Sequence, residues 1–130
     1  MSTITPLDEE YLYEDGVAIS QSDLDGNIIY VNNMFCQSSG YTKDELIGAK
    51  YEILRHPDMP QEIFEKMQKA LSSAQTYNAT IKNLRKDGRY YWSDLEVLPI
   101  YDQNEKIKGY ATINRASSRA SIEEFENKNS

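Results

Sequence analysis

The spacing of apolar and polar residues changes period several times along the chain. Val17-Ala18-Ile19 and Ile28-Ile29-Tyr30-Val31 are short β-rich runs. Asp25-Gly26-Asn27 between them supplies φ > 0 turn chemistry, so a β-hairpin is predicted over 16–33. The stretch "NNMFCQSSGY" then reads as a helix opened by a capping asparagine and stopped at Gly40. "TKDELIG" repeats the logic, with Thr42 as cap, Glu45 three residues on as in a capping box, and Gly48 ending the turn. In "PQEIFEKMQKALSSA", Ile63, Met67, Ala70 and Leu71 fall on one face with Phe64 at its border. Pro60 near the start and Glu62 and Glu65 in the first turns suit the helix dipole.

The remainder is strand-rich. "TYNATIKNLRKDGRYYWSDLEVLPIY" predicts two strands around Lys86-Asp87-Gly88, and "KIKGYATINRA" a third after a turn at Asp102-Gln103-Asn104. At the front, Leu7, Tyr11 and Leu12 lie at helical spacing after Pro6, which predicts a short cap helix within 1–15, the alternative being a flexible segment. At the back, residues 117–130 are polar, with Ile122 and Phe125 at a helical offset, like the start of a linker helix. The order ββ, short helices, βββ implies an α+β fold. A five-stranded antiparallel sheet must bury one face, and the central helices are the cover available to it. Such a fold leaves a cavity between sheet and helices wherever side chains do not fill it.

Composition narrows the class. The 130 residues suit one domain with a core. A net charge of −7 repels phosphate backbones and argues against a nucleic-acid partner. Cys36 is the one cysteine, so no internal disulfide forms. No apolar run approaches the roughly 20 residues of a membrane span, and the acidic first twenty residues have no basic signal-peptide region. A cytoplasmic domain is expected. The ten tyrosines suit either a binding surface or ordinary strands.

Strand alternation yields the first candidate site residue. Tyr77, Ala79, Ile81 and Asn83 share the apolar face of residues 77–83, so Asn83 is expected to point inward. A buried amide needs partners, either neighbouring backbone or a heterocyclic ligand. Asn114 shares a face with Tyr110 and Thr112, and the pattern leaves open which side is inside.

Arg55-His56-Pro57-Asp58 has three readings. Asp58 can cap the following helix, with Gln61 three residues on. Arg55 and the free amides of that helix start can bind an anion such as a pyrophosphate. His56 lacks companions for a zinc site, but a haem needs only one protein ligand. Support for catalysis is weak: no phosphate loop, nucleophile elbow or paired-histidine motif is present. Cys36 beside Phe35 reads as a small buried hydrophobe.

At this point "DGNIIYVNNMFCQSSGYTKDELIG", "RKDGRYYW", "LPIYD" and "IKGYATI" resemble the PAS family over about residues 16–116. Within it, "LRHPDMP", "IKNLRKDGRYYW" and "GYATINRA" resemble the FAD-binding PAS domain of bacterial aerotaxis and energy-taxis receptors. The resemblance implies FAD as cofactor, with Arg55, His56 and Asp58 needed for binding and Asn32 and Asn83 at or near the flavin. Asn83 also lines up with a flavin-contacting asparagine of the light-oxygen-voltage (LOV) domains, which often carry a glutamine where Asn114 stands. Tyr77 replaces a tryptophan of the aerotaxis receptors and keeps a ring for stacking. The photoactive cysteine motif is missing, so no cysteinyl adduct is expected. The resemblance further implies a non-enzymatic redox or energy sensor, a homodimer, and a downstream receptor or effector as partner. The alternatives are a haem gas sensor ligated by His56 and a ligand-free interaction module.

Overall fold

The structure, a computed structural model, describes residues 4–128. Its strands are β1 (Ala18–Asp23), β2 (Ile28–Val31), β3 (Tyr77–Leu84), β4 (Tyr90–Tyr101) and β5 (Ile107–Ala116). They form one antiparallel sheet in the order β2-β1-β5-β4-β3. The helices α1 (Asn33–Ser39), α2 (Lys43–Leu46) and α3 (Gln61–Ser72), with a 3₁₀ turn at Tyr51–Leu54, lie between β2 and β3 in the chain. The predicted α+β class and antiparallel sheet are both present.

Local chemistry sets the helix ends. Asn32 caps α1 by accepting from Phe35 N, and Gly40 closes it in the left-handed region at φ 80°. Thr42 and Glu45 form the full capping box of α2. Asn32 does more than cap. Its Oδ1 also accepts from Ile19 N at 3.0 Å, and its Nδ2 donates to Val17 O at 2.9 Å, tying α1 to the entry of β1. Ile28, Val31, Phe35 and Leu46, all buried, pack this first half into a core.

Two expectations are corrected. Residues 4–15 are not a helix, and the rest of the predicted 1–15 cap lies outside the described residues. Tyr90 N donates to Glu9 O and Tyr11 N to Tyr90 O, so the segment lies extended along β4. The pairing of β4 with β5 ends at Ser93 and Ala116, which leaves the earlier residues of β4 an open edge for it to satisfy. Asp58 does not cap α3. Pro60 stands at the N-cap with no side-chain bond, and Asp58 is spent elsewhere. The residues before α3 instead run along the edge strand, where the backbone of Arg55 bridges that of Asn83. The tail forms α4 (Arg119–Lys128), which folds back so that Phe125 meets Trp92 edge-on at 5.6 Å.

Candidate functional site

Register fixes one inward face on each strand. Ile81 pairs with Ser93 and Asn83 with Tyr91, while Leu95 pairs with Asn114 and Val97 with Thr112. Ala18 and Ser20 continue these rows through Asn114 and Thr112. This settles Asn114: it faces inward with Asn83. Several inward positions are small. Ser20, Ser22 and Ser93 are fully buried or nearly so. Small residues under the helices leave volume unfilled, and a cavity of about 310 Å³ lies there. That is within the range of small-molecule sites. Its walls are Asn83, Asn114 and Tyr91 of the sheet, and Phe35, Arg55 and Phe64 of the cover, among others.

The polar groups of the wall fall into two sets. Ser20 Oγ bonds Tyr51 Oη at 2.6 Å and also bonds Thr112 Oγ1, so these hydroxyls satisfy one another. Asn83 Nδ2 donates to Ser93 Oγ at 3.0 Å, and Ser93 Oγ donates to Asn114 Oδ1 at 2.9 Å. Asn83 Oδ1 and Asn114 Nδ2 have no hydrogen-bond partner among the described residues. Burial raises the pKa of Tyr91, so its hydroxyl stays protonated. Tyr13 packs edge-on behind its ring at 5.9 Å.

Arg55 lies flat on Phe64, with its guanidinium carbon 3.8 Å from the ring centroid, and Nη1 reaches Gln61 Oε1 at 3.3 Å. Among the described residues, its buried Nε has no hydrogen-bond partner. A buried donor on a permanent cation is costly to leave unmade, so this atom suits an anionic or carbonyl ligand.

The other predicted site residues lie outside this cavity's walls. His56 is only 4% exposed, and its ring meets Tyr90 edge-on at 6.2 Å. Nδ1 accepts from Asp58 N at 3.0 Å, so the imidazole is neutral. Burial and then Lys82 hold its pKa below the ordinary value, against the pull of Asp58. The 3.7 Å approach of Asp58 Oδ2 is thus no ion pair while the ring is neutral. Asp58 instead pairs with Lys82 Nζ at 3.0 Å, which keeps its carboxyl below the usual range. Asn32 serves the β1–α1 junction. Tyr77 lines a separate open depression at the sheet edge with Lys66 and Phe125. Cys36 packs against the first-half core and is not among the cavity residues.

Residues 28–114 match the family model described as the PAS fold. The chain belongs to the PAS family. Its relatives include the aerotaxis receptor of Escherichia coli K12, 37% identical over 88% of this PAS chain and 22% of the receptor. A blue-light photoreceptor of Listeria innocua is 37% identical over 71% of this chain and 37% of its own. Among solved structures, the LOV domain of the Erythrobacter litoralis EL346 blue-light activated histidine kinase superposes with a TM-score of 0.69. It is 28% identical and covers 75% of this chain and 92% of that domain. The chain thus spans about a fifth of the receptor's length and little over a third of the photoreceptor's. Among the described residues, no helix is long and apolar enough to cross a membrane.

Besides the apolar walls Phe35, Phe64 and Tyr91, the polar residues Ser93 and Arg85 escaped the sequence reading of this PAS domain. Ser93 is two positions from Tyr91 on the same inward face, and the β3–β4 register would have found it. Arg85 is buried and donates from Nη1 to the carbonyls of Gln37 and Ser38, at the end of α1. Nothing in its local sequence marks that distant helix end.

Proposed function

We propose that this PAS domain is a sensor that holds FAD, with the flavin ring between the sheet and the central helices. One observation carries the reading. Arg55 Nε, buried and unpartnered, shares a cavity with two inward amides that each keep one polar atom open. These groups fit a flat heterocycle with both donors and acceptors on its edge, and Phe35, Phe64 and Tyr91 supply apolar walls. A cavity of about 310 Å³ takes the ring system rather than the whole dinucleotide. Arg55 and the start of α3 are the groups for the phosphates.

The relatives support the same reading, since they include an aerotaxis receptor and blue-light photoreceptors. Bound flavin would supply redox chemistry whose state alters the hydrogen-bonding edge of its ring. Inward amides would then re-pair, and β3 to β5 would pass the change to the N-terminal segment and α4. The expected output is a taxis receptor or other effector in the cytoplasm, reached as a homodimer. His56 and Asp58 would act by shaping the Arg55 turn from behind. The haem reading has less support, because His56 faces Tyr90 rather than the cavity.

The test is to purify the protein without added cofactor, record a visible spectrum, and identify acid-released flavin. A flavin spectrum with FAD released is expected. Colourless protein that also fails to take up added FAD would overturn the reading, and a Soret band would favour haem.

A further inference from the structure

The two inward amides are joined through a single hydroxyl, and that hydroxyl is fully buried. Asn83 has little freedom. Its Nδ2 lies 3.2 Å from Tyr91 O and 3.4 Å from Ile81 O, and both carbonyls only accept. Turning the amide over would set Oδ1 against these oxygens. The nitrogen therefore faces Ser93, and Ser93 Oγ accepts from it. Because Ser93 receives a proton on that side, its own proton is available to Asn114 Oδ1, and Asn114 Nδ2 is turned outward.

We propose that Ser93 is the positioning residue that fixes the polarity of the cavity: acceptor at Asn83 Oδ1, donor at Asn114 Nδ2, with Asn114 alone able to invert. Inversion of Asn114 points its nitrogen at Ser93 Oγ. The oxygen has lone pairs for both amides, but the buried Ser93 proton then loses its acceptor. Ser93 therefore biases Asn114 toward its donor state without locking it. A ligand that presents an acceptor at Asn114 agrees with the bias, and one that presents a donor works against it. This deepens the flavin reading and rests on it for the ligand. Oxidised flavin offers only acceptors beside its ring N–H, and reduction adds a donor, so Ser93 sets how hard the site resists the reduced form.

The polarity is measurable without any cofactor. In the ¹⁵N-labelled purified protein, the Asn83 side-chain NH₂ should give through-space contacts to the Ser93 β-protons, and the Asn114 NH₂ should not. In Ser93→Ala the Asn114 NH₂ should gain contacts to residue 93, and Ser93→Thr, which keeps the hydroxyl, should restore the original pattern. An Asn114 NH₂ already facing Ser93 in the unaltered protein overturns the proposal, and this readout needs no variant to fold. With FAD added, Ser93→Ala should bind the oxidised form about fivefold more weakly, the factor that one net hydrogen bond corresponds to. Its midpoint potential should also move, while that of Ser93→Thr stays. Equal affinity and potential in Ser93→Ala would overturn the role. A protein that binds no FAD overturns the flavin reading, and the amide contacts then decide the role of Ser93 alone.

Discussion

Arg55 and Asn83, 28 positions apart in the chain, pair their backbones in an isolated antiparallel bridge. The bridge lies at the outer edge of the sheet, where, among the described residues, β3 has no further strand beside it. It holds the guanidinium-bearing turn and the inward amide at a fixed spacing along one wall of the cavity. Edge strands need cover, so the turn before α3 serves the sheet and the site at once.

Arg55→Ala should lose most of its affinity for FAD. A hydrogen bond to a charged group contributes about 1.5–3 kcal/mol, equivalent to roughly a ten- to 150-fold rise in Kd. A fluorescence titration of the apoprotein with FAD measures it. Flavin content equal to that of the unaltered protein would remove Arg55 from the binding role.

Asn32→Ala should act on stability instead. It removes an N-cap bond, an effect of about 0.5–2 kcal/mol. It also breaks the bonds to Ile19 N and Val17 O, so the upper end of that range is expected. Urea denaturation reads this as a lower midpoint with unchanged slope. The protein that remains folded should bind FAD as before, because Asn32 does not line the cavity.

Gly109→Ala tests the β1–β5 seam. A Cβ at this position would lie 2.1 Å from the carbonyl oxygen of Ser22, which belongs to the backbone and cannot swing aside. The strands must separate, and overpacking of this kind costs about 1–3 kcal/mol. A thermal melt should show the loss. An unchanged Tm would mean that the strands approach less closely than the register implies.

Acid should weaken the fold in two separate windows. The folded pKa of His56 lies below its ordinary 6.5, so the unfolded chain binds the extra proton first. Its contribution is whole above pH 6.5 and is lost as pH falls from there through the folded value. Since His56 is the chain's one histidine, His56→Gln should flatten the urea midpoint across that window. Asp87 works lower down. Burial pushes its carboxyl up, but hydrogen bonds from Arg89 and the charge of Arg85 outweigh this and hold it at about 2. Its contribution is present above pH 3.8 and fades as pH falls toward 2. Asp87→Asn should reduce the dependence there, which the lowered carboxyls of Asp58, Asp23 and Glu45 share, and leave the His56 window alone.

The elements of this fold were legible residue by residue where their causes are local. Asn32 and Gly40 bound α1, Thr42 and Glu45 bound α2, and the period-two pattern of 77–83 turned Asn83 inward, because caps and alternation depend only on near neighbours. The turn chemistry at Asp25-Gly26, Asp87-Gly88 and Asp102-Gln103-Asn104 likewise marked the three hairpins. What the sequence left open depends on partners far along the chain. Asn114 acquires its inward side only when β5 pairs with β1 and β4, which sets it beside Ala18 and Leu95. Leu7, Tyr11 and Leu12 have helical spacing, yet Gly88 and the open edge of β4 accept hydrogen bonds from the backbone of Leu7 and Tyr11, and extension wins. His56 reads as a ligand from its motif. The Arg55–Asn83 bridge turns the following loop over the edge strand, and His56 is buried against Tyr90. Local pattern determined which elements form and which face of each is apolar. The tertiary pairing of those elements decided which polar groups share one cavity, because hydrogen-bond partners across strands carry no signature in either strand alone.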